Sequence, residues 1–272
     1  MLRLTELWIY PIKSLAGISL PAADLTDRGL RYDRRWMLVD AAGGFLTQRE
    51  YPEMALLQVT LTADGLQISH RTKSVEPLIV SFTPRDGQPL ATAVFGSPVD
   101  VQYVDDQADR WFSQVLNTPV RLVYQPEDSH RGVDPAYAHR GEINSLADGY
   151  PFLLVGQSSL DGLNGYLKQP VPMNRFRPNF VFAGATAFDE DEWNTFRVGN
   201  VPFRAVKPCA RCPIPGIDQA TGQRSPEVLR VLNDHRKQGH KVFFGQNLLA
   251  DSTTGHLHVG DEIEVISRRE TA

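Results

Sequence analysis

Short apolar runs separated by turn residues fill the first part of the chain, a pattern typical of β-strands. Residues 36–39, 78–82 and 99–103 are examples. Glycines interrupt these runs and predict tight turns, because glycine adopts positive φ without a steric penalty. The predicted turns lie at Gly43-Gly44, Asp64-Gly65 and Asp86-Gly87. This spacing predicts a barrel-like or sandwich-like β unit.

A helical period replaces the strand pattern from residue 105 to residue 117. Apolar side chains recur there at i, i+3, i+4, i+7 and i+8, namely Ala108, Trp111, Phe112, Val115 and Leu116. Asp105 or Asp106 is the predicted N-cap. We place a domain boundary near the end of this helix. It divides the chain into an N-terminal β domain, residues 1–118, and a second domain, residues 119–272.

The second half begins with a long polar stretch, residues 128–148, which predicts a loop that is either ordered for function or flexible. Predicted strands follow at residues 152–155, 179–182, 201–206 and 262–266. Helices are predicted at 159–167 and at 225–239, the latter with Ser225 as its cap and Pro226 in its first turn. The whole pattern predicts a β-rich α+β protein with a few packing helices.

Composition narrows the class of protein. The chain has 272 residues, of which 42% are hydrophobic and 22% are charged, as in an ordinary globular protein. A net charge of −4 argues against a nucleic-acid partner, although a local basic pocket is compatible with it. The N-terminus reads as an approximate period-2 strand, not as a signal peptide. No apolar run reaches the roughly 18 residues of a membrane span, so we expect no membrane partner and a cytoplasmic location.

Cys209 and Cys212 are the two cysteines, and they form one Cys-x-x-Cys. Such a pair is no disulfide framework, and it suits a reducing compartment. As a zinc site it would need two further ligands, and among the seven histidines only His256 and His258 lie close to one another in sequence. As a thioredoxin-like redox pair it should open a helix.

Pro213, Pro215 and Gly216 disfavour a regular helix after the cysteine pair. Two further interpretations remain. The cysteines can be buried structural thiols, or one of them can be a soft thiolate ligand for a thiophilic metal, favoured by the neighbouring Arg211. The spacing alone does not decide among the four interpretations.

Six motifs spread along the chain carry a family resemblance. They are YPIKSLAG at 10–17, DRRWMLV at 33–39, DGYPF at 148–152, NRFRPN at 174–179, CARCPIPGID at 209–218 and FGQN at 244–247. In this order they resemble proteins with an MOSC N-terminal domain and an MOSC domain, such as the mitochondrial amidoxime-reducing components and their bacterial relatives. The resemblance implies an N-terminal β-barrel-like unit followed by an MOSC β-barrel. It also implies reduction of hydroxylamines, amidoximes and N-hydroxylated bases to amines and amidines at a molybdenum–molybdopterin cofactor.

Carried over residue by residue, the resemblance implies that Cys212 is the catalytic thiolate that ligates molybdenum. The implied cofactor-binding residues are Lys13, Ser14, Arg34, Asp148, Gly149, Tyr150, Arg177, Ala210, Arg211 and Asn247. The mitochondrial proteins have tyrosine at the Asn247 position, and they also differ at positions 149 and 150, where the implied contacts are to the backbone. Arginine and lysine suit a phosphorylated cofactor, because they bind phosphate as a planar fork and as a point charge. We expect the cofactor in a cleft between the two halves.

Two features bear on partners. Two cysteines cannot hold a [2Fe–2S] cluster, which needs four ligands, and also ligate molybdenum, so we expect electrons from a separate donor protein. The substrate should be a small N-hydroxylated molecule. The alternative function is a molybdenum cofactor or sulfur carrier without reductase turnover, since MOSC domains also occur in molybdenum cofactor sulfurases. No segment here resembles a pyridoxal-phosphate domain, which disfavours that alternative and predicts chemistry independent of pyridoxal phosphate.

Overall fold

Residues 1–84 and 87–270 are described by the structure, a computed structural model, and they form 21 strands and three α-helices. The strands are β1 Arg3–Ile9, β2 Ile18–Leu20, β3 Ala22–Thr26, β4 Gly29–Leu30, β5 Trp36–Val39, β6 Leu57–Leu61, β7 Gly65–His70, β8 Leu78–Ser81, β9 Pro89–Val94, β10 Ser97–Tyr103, β11 Arg121–Tyr124, β12 Arg131–Gly132, β13 Ile143–Asn144, β14 Phe152–Gly156, β15 Phe180–Ala183, β16 Trp193–Val198, β17 Val201–Ala210, β18 Lys237–Gln238, β19 Lys241–Ala250, β20 Gly255–His258 and β21 Ile263–Arg268. The helices are α1 Asp106–Leu116, α2 Gln157–Asn164 and α3 Glu227–Arg236, with short 3-10 helices at Pro52–Leu56, Met173–Arg175, Asp189–Glu192 and Ile214–Gly216. Asp86 of the third predicted turn lies outside the described residues.

The largest sheet has nine strands and joins both ends of the chain. Its order is β2-β1-β15-β14-β19-β17-β16-β21, with β18 added beside β19. β1 runs antiparallel to β15, with Leu7 opposite Phe180, and β14 runs parallel to β15. The first strand of the chain therefore belongs to the sheet of the second half. The predicted domain boundary near residue 118 stays a prediction, since the pairing of β1 with β15 joins strands from its two sides.

Smaller sheets make up the rest of the N-terminal half. One has the order β5-β11-β10-β9 and another β6-β7-β8. They enclose an apolar core that includes the fully buried Trp36. Helix α1 packs on this core and contributes the fully buried Phe112 to it. The predicted β-rich α+β class with a few packing helices is confirmed.

The sequence pattern predicts the bounds of helix α1 accurately and the end of helix α3 less accurately. The Asp105 side chain accepts a hydrogen bond from the Ala108 amide at 2.7 Å, as an N-cap does, and the helix ends at Asn117 with φ 50°. Helix α3 ends at Arg236, before the predicted residue 239, because the next two residues pair with β19 as β18. Strand pairing here overrides a helical pattern.

The polar stretch 128–148 is ordered by internal contacts. It contains the short hairpin β12–β13, and Arg131 of that hairpin is buried. The Arg131 guanidinium donates to the carbonyl oxygens of Ser145, Ala147 and Asp148. The stretch is thereby held beside β14. No helix within the described residues is both long enough and apolar enough to cross a membrane.

Candidate functional site

One cavity brings together all of the predicted site residues. Its walls include the loops that precede β5, β14 and β15 and the loop between β1 and β2. The ends of β17 and β19 complete the lining. Its lining includes the eleven predicted residues Lys13, Ser14, Arg34, Asp148, Gly149, Tyr150, Arg177, Ala210, Arg211, Cys212 and Asn247. Cys209, Phe176 and Asn179 line it as well. Residues distant in sequence thus share one concave surface, as a ligand site requires.

Positive charge dominates this cavity although the chain as a whole carries a net charge of −4. Among the lining residues there are four cationic side chains and one carboxylate, that of Asp148. Asp148 pairs with the Lys13 ammonium, which also donates to the Leu146 carbonyl at 2.9 Å. Enclosure in the cavity disfavours the ionised Asp148, but Lys13 beside it holds the pKa of Asp148 at about 2. The surplus of cations favours an anionic ligand.

Tyr10 organises two of the arginines. The guanidinium carbons of Arg34 and Arg177 lie over its ring, 4.3 and 4.2 Å from the ring centroid. The Tyr10 hydroxyl donates to the Pro178 carbonyl at 3.0 Å, and burial raises the pKa of Tyr10 well above its usual value. A Cβ at Gly17 would lie only 2.5 Å from the Tyr10 ring, which explains the glycine of the first motif. Sequence reasoning placed Tyr10 in that motif but gave it no role.

Arg177 is the least satisfied cation of the cavity. It is 9% exposed, and its guanidinium has no hydrogen bond or ion pair with any residue that the structure describes. Burial lowers the pKa of Arg177 to about 10. Arg34 differs, since it pairs with the buried Asp33 at 2.5 Å and donates to Asn179 at 3.0 Å. The Arg177 guanidinium packs on the Tyr10 ring but has no anionic partner among the described residues, so it is available to an anionic ligand.

Backbone conformation at the cavity is unusual. Ser14, Arg34 and Arg177 have φ values of 68°, 49° and 55°, in the left-handed region that favours glycine. Such positions cost about 1–3 kcal/mol each and cluster at functional sites. Three strained residues on three separate loops of one cavity are typical of a binding site.

The two cysteines have different surroundings. Cys209 lies near the end of β17, and Arg211 donates to its Sγ from Nη1 at 3.2 Å. The same guanidinium donates to the Phe176 carbonyl at 2.8 Å, and its Nε is buried without a partner among the described residues. Burial raises the pKa of the Cys209 thiol, with Arg211 opposing. Cys212 follows β17 and also lines the cavity as a free thiol.

Two alternative interpretations of the cysteine pair lose support. His256 lies on β20, away from the cavity lining, and contacts Asp24 at 2.7 Å. Within residues 1–84 and 87–270, no group of three or more His, Cys, Asp or Glu side chains is arranged to hold a metal ion. The zinc hypothesis therefore lacks its further ligands in that part of the chain. Only a 3-10 helix, Ile214–Gly216, follows Cys212, so the pair does not open an α-helix as a thioredoxin-like site does.

Comparison with known proteins shows the class to which this fold and cavity belong. Residues 1–119 match the MOSC N-terminal beta barrel domain, and residues 141–264 match the MOSC domain. The chain belongs to the family of MOSC-domain proteins that includes the mitochondrial amidoxime-reducing components. The resemblance inferred from the six motifs is confirmed.

The relatives cover almost all of the chain. Mouse mitochondrial amidoxime-reducing component 1 is 30% identical over 97% of this chain and 82% of its own length. Rat mitochondrial amidoxime reducing component 2 is 31% identical over 95% of this chain and 82% of its own length. A molybdenum cofactor sulfurase from Oryza sativa subsp. japonica is 30% identical over 90% of this chain, which spans 32% of that sulfurase. The family association is thus with the molybdenum cofactor.

The cavity residues fit such a cofactor. A phosphorylated pterin is anionic. The Nε of Arg211 is buried without a partner among the described residues, and the guanidinium of Arg177, which lines the cavity, makes no hydrogen bond with them. A thiophilic metal needs a soft donor, and Cys212 lies in the same cavity. The amide of Asn247 makes one long hydrogen bond, 3.5 Å to the Pro208 carbonyl, and so retains capacity for a ligand.

Proposed function

We propose that the chain binds a molybdenum–molybdopterin cofactor in this cavity and uses it to reduce small N-hydroxylated compounds. The observation that carries the proposal is Arg177, a buried cation without a hydrogen-bonding or ionic partner among the described residues, in a cavity that also contains Cys212. Similarity to proteins named amidoxime-reducing components supports the reaction.

Particular residues would hold the cofactor. Cys212 would supply the thiolate ligand to the metal. Arg177, Arg34 and Arg211 would bind the phosphate and pterin through charge-assisted hydrogen bonds. The remaining contacts would come from Lys13, Ser14, Asp148, Gly149, Tyr150, Ala210 and Asn247.

When bound, the cofactor supplies two-electron redox chemistry. An amidoxime then takes up two electrons and two protons, its N–O bond breaks, and the products are an amidine and water. The chain's own residues bind and orient the reactants in a positively charged cavity. Asp148 is ionised at neutral pH, since its pKa is about 2, so it stabilises Lys13 and donates no proton.

Electrons would come from a separate donor protein, because two cysteines cannot both hold an iron–sulfur cluster and ligate molybdenum. The cytoplasmic location and the absence of nucleic-acid and membrane partners stay predictions.

A second function is binding of the cofactor without reductase turnover. Similarity to the Oryza sativa sulfurase favours it, although this chain spans 32% of that protein. The two functions agree on the cofactor and differ in turnover.

The test is to purify the chain from a cell with intact molybdenum cofactor synthesis. We expect about one molybdenum and one pterin per chain. Reduced viologen should support conversion of benzamidoxime to benzamidine, and NADH alone should not. Zinc in place of molybdenum, without pterin, would refute the cofactor assignment. Full cofactor content without turnover of any N-hydroxylated compound would favour the carrier.

A further inference from the structure

Two phenylalanine rings lie beside the cofactor cavity without being part of its lining. Phe45 follows β5 and forms an isolated bridge with Val39. Phe95 lies in the turn between β9 and β10. Their ring centroids are 5.1 Å apart and their planes meet at 77°, an edge-to-face pair. Together they line a shallow groove on the N-terminal half.

Lys13 connects this groove to the cavity. Its Nζ lies 5.3 Å from the Phe45 centroid and 5.6 Å from the Phe95 centroid. The same ammonium pairs with Asp148 and lines the cavity. Lys13, which is only 4% exposed, therefore lies between the aromatic pair and the candidate cofactor site and is adjacent to both.

Arg49 adds a planar cation to the groove. Its guanidinium carbon lies 4.7 Å from the Phe95 centroid, and its Nε donates to the Thr47 hydroxyl at 3.4 Å. Within the described chain no carboxylate lies within 4.0 Å of the Arg49 guanidinium, although Asp40 and Glu50 line the same groove and the charge of Arg49 acts on Asp148. The groove thus combines aromatic faces with guanidinium, both of which stack on flat rings.

Phe95 occupies an unfavourable position for its residue type. Its side chain is 52% exposed. Phe95 and Gly96 have φ values of 52° and 80°, and a two-residue turn with positive φ at both positions prefers Asn-Gly or Asp-Gly. Neither burial nor turn geometry explains a phenylalanine here.

We propose that Phe45, Phe95 and Arg49 form a subsite for the planar aromatic part of a neutral N-hydroxylated substrate. The ring packs against the two phenylalanines, and the N-hydroxy group is directed past Lys13 into the cavity. This subsite rests on the proposed function and adds to it a preference for aromatic over aliphatic substrates.

The test uses two substrates that differ only in the ring, benzamidoxime and acetamidoxime. The main variant is Phe95→Asn, which removes the ring and places a residue that the turn prefers. We expect the ratio of kcat/KM for benzamidoxime to that for acetamidoxime to fall roughly five-fold, within a range of about three- to ten-fold for loss of aromatic contacts. Phe45→Leu should lower the same ratio. Tyr166→Ala is the matched control, because Tyr166 is 58% exposed and lies outside the groove.

Binding is measured in parallel, by NMR titration of the purified holoprotein without reductant, so that no turnover occurs. Benzamidoxime should bind more tightly than acetamidoxime, and Phe95→Asn should weaken benzamidoxime binding roughly five-fold. An unchanged substrate ratio and unchanged binding in Phe95→Asn would overturn the subsite while leaving the proposed function intact. Binding that depends on Phe95, without turnover of either substrate by the unaltered chain, would support the subsite and refute the reductase function.

Discussion

Arg211 donates a hydrogen bond to the Sγ of Cys209, at 3.2 Å, although it is adjacent in sequence to Cys212. The sequence predicted that this guanidinium would favour the thiolate of a metal ligand. Its observed contact is instead with the other cysteine of the pair. Cys209 therefore has a protein partner, whereas Cys212 lines the cavity as the thiol available to a ligand.

We expect the two cysteines to respond differently to serine. Cys212→Ser should lose most of the molybdenum and the reductase activity, because a hydroxyl is a harder and less acidic donor than a thiol. Cys209→Ser should retain both, with the free energy of unfolding changed by about 1 kcal/mol or less, since the serine oxygen can accept the hydrogen bond from Arg211. Metal analysis and turnover of the two variants side by side check this. Equal losses would contradict a single protein ligand.

Arg177→Met should separate binding from stability. The substitution removes a buried charge that has no protein partner within the described residues, so the free energy of unfolding should stay the same or rise. Molybdenum and pterin content should fall. Urea unfolding and cofactor analysis measure the two effects.

Arg175→Met is the matched control in the same segment. Arg175 is equally buried, but it donates to Asp218 at 2.8 Å, so its loss should lower the free energy of unfolding by about 2 kcal/mol while cofactor content persists. If Arg177→Met instead destabilises the protein as much as Arg175→Met and keeps its cofactor, Arg177 is structural.

Two substitutions at Tyr10 distinguish its hydroxyl from its ring. Tyr10→Phe removes the hydrogen bond to the Pro178 carbonyl and should lower the free energy of unfolding by about 1–2 kcal/mol, with cofactor content maintained. Tyr10→Leu also removes the ring beneath Arg34 and Arg177, and should lower cofactor retention as well as stability, the latter by about 3 kcal/mol. Equal cofactor content in both variants would show that the ring does not position the arginines.

Glu190 should make stability depend on pH. This buried carboxylate accepts hydrogen bonds from the Gly156 amide at 3.0 Å and the Ser159 hydroxyl at 2.7 Å. Burial raises its pKa above the usual 4.5. The folded state therefore favours the protonated acid, and stability is lost as pH rises from 4.5 through the folded pKa.

Glu190→Gln removes that titration. Its free energy of unfolding, relative to the unaltered chain, should increase as the pH rises above 4.5. Urea unfolding of both proteins across this range is the measurement. Parallel pH profiles would mean that the Glu190 carboxylate ionises without penalty.

Helix α1 could be predicted from the sequence because the signals for it lie within the helix and at its N-cap. Its apolar period and the Asp105 cap need no information from elsewhere in the chain. The end of α3 could not be predicted in the same way, since the pairing of Lys237 with Val242 depends on a strand that follows the helix. Pairing partners across a sheet are a property of the fold, which a local period does not encode.

The cavity residues came from the family resemblance and not from periodicity or spacing. No local pattern relates Lys13 to Arg177, and their roles toward a cofactor stay a proposal. The position of Tyr10 beneath two guanidinium groups could not be read from the sequence, because it depends on loops that meet only after folding. The exposure of Phe95 is likewise a property of its turn, although a phenylalanine before Gly96 between two predicted strands was a signal that could have been used.

The ribosome makes β1 long before β15, one of the two strands that pair with it. Arg3 pairs with Ala183 and Leu7 with Phe180. Until then β1 has β2 on one side only, so its other edge is available to chaperones or to another nascent chain, and Leu4 and Leu7, which are fully buried in the finished sheet, lack part of their core. Closure of the largest sheet is therefore a late event in biosynthesis. We expect the newborn protein to fold slowly and to depend on chaperones more than a chain whose strands pair with their sequence neighbours.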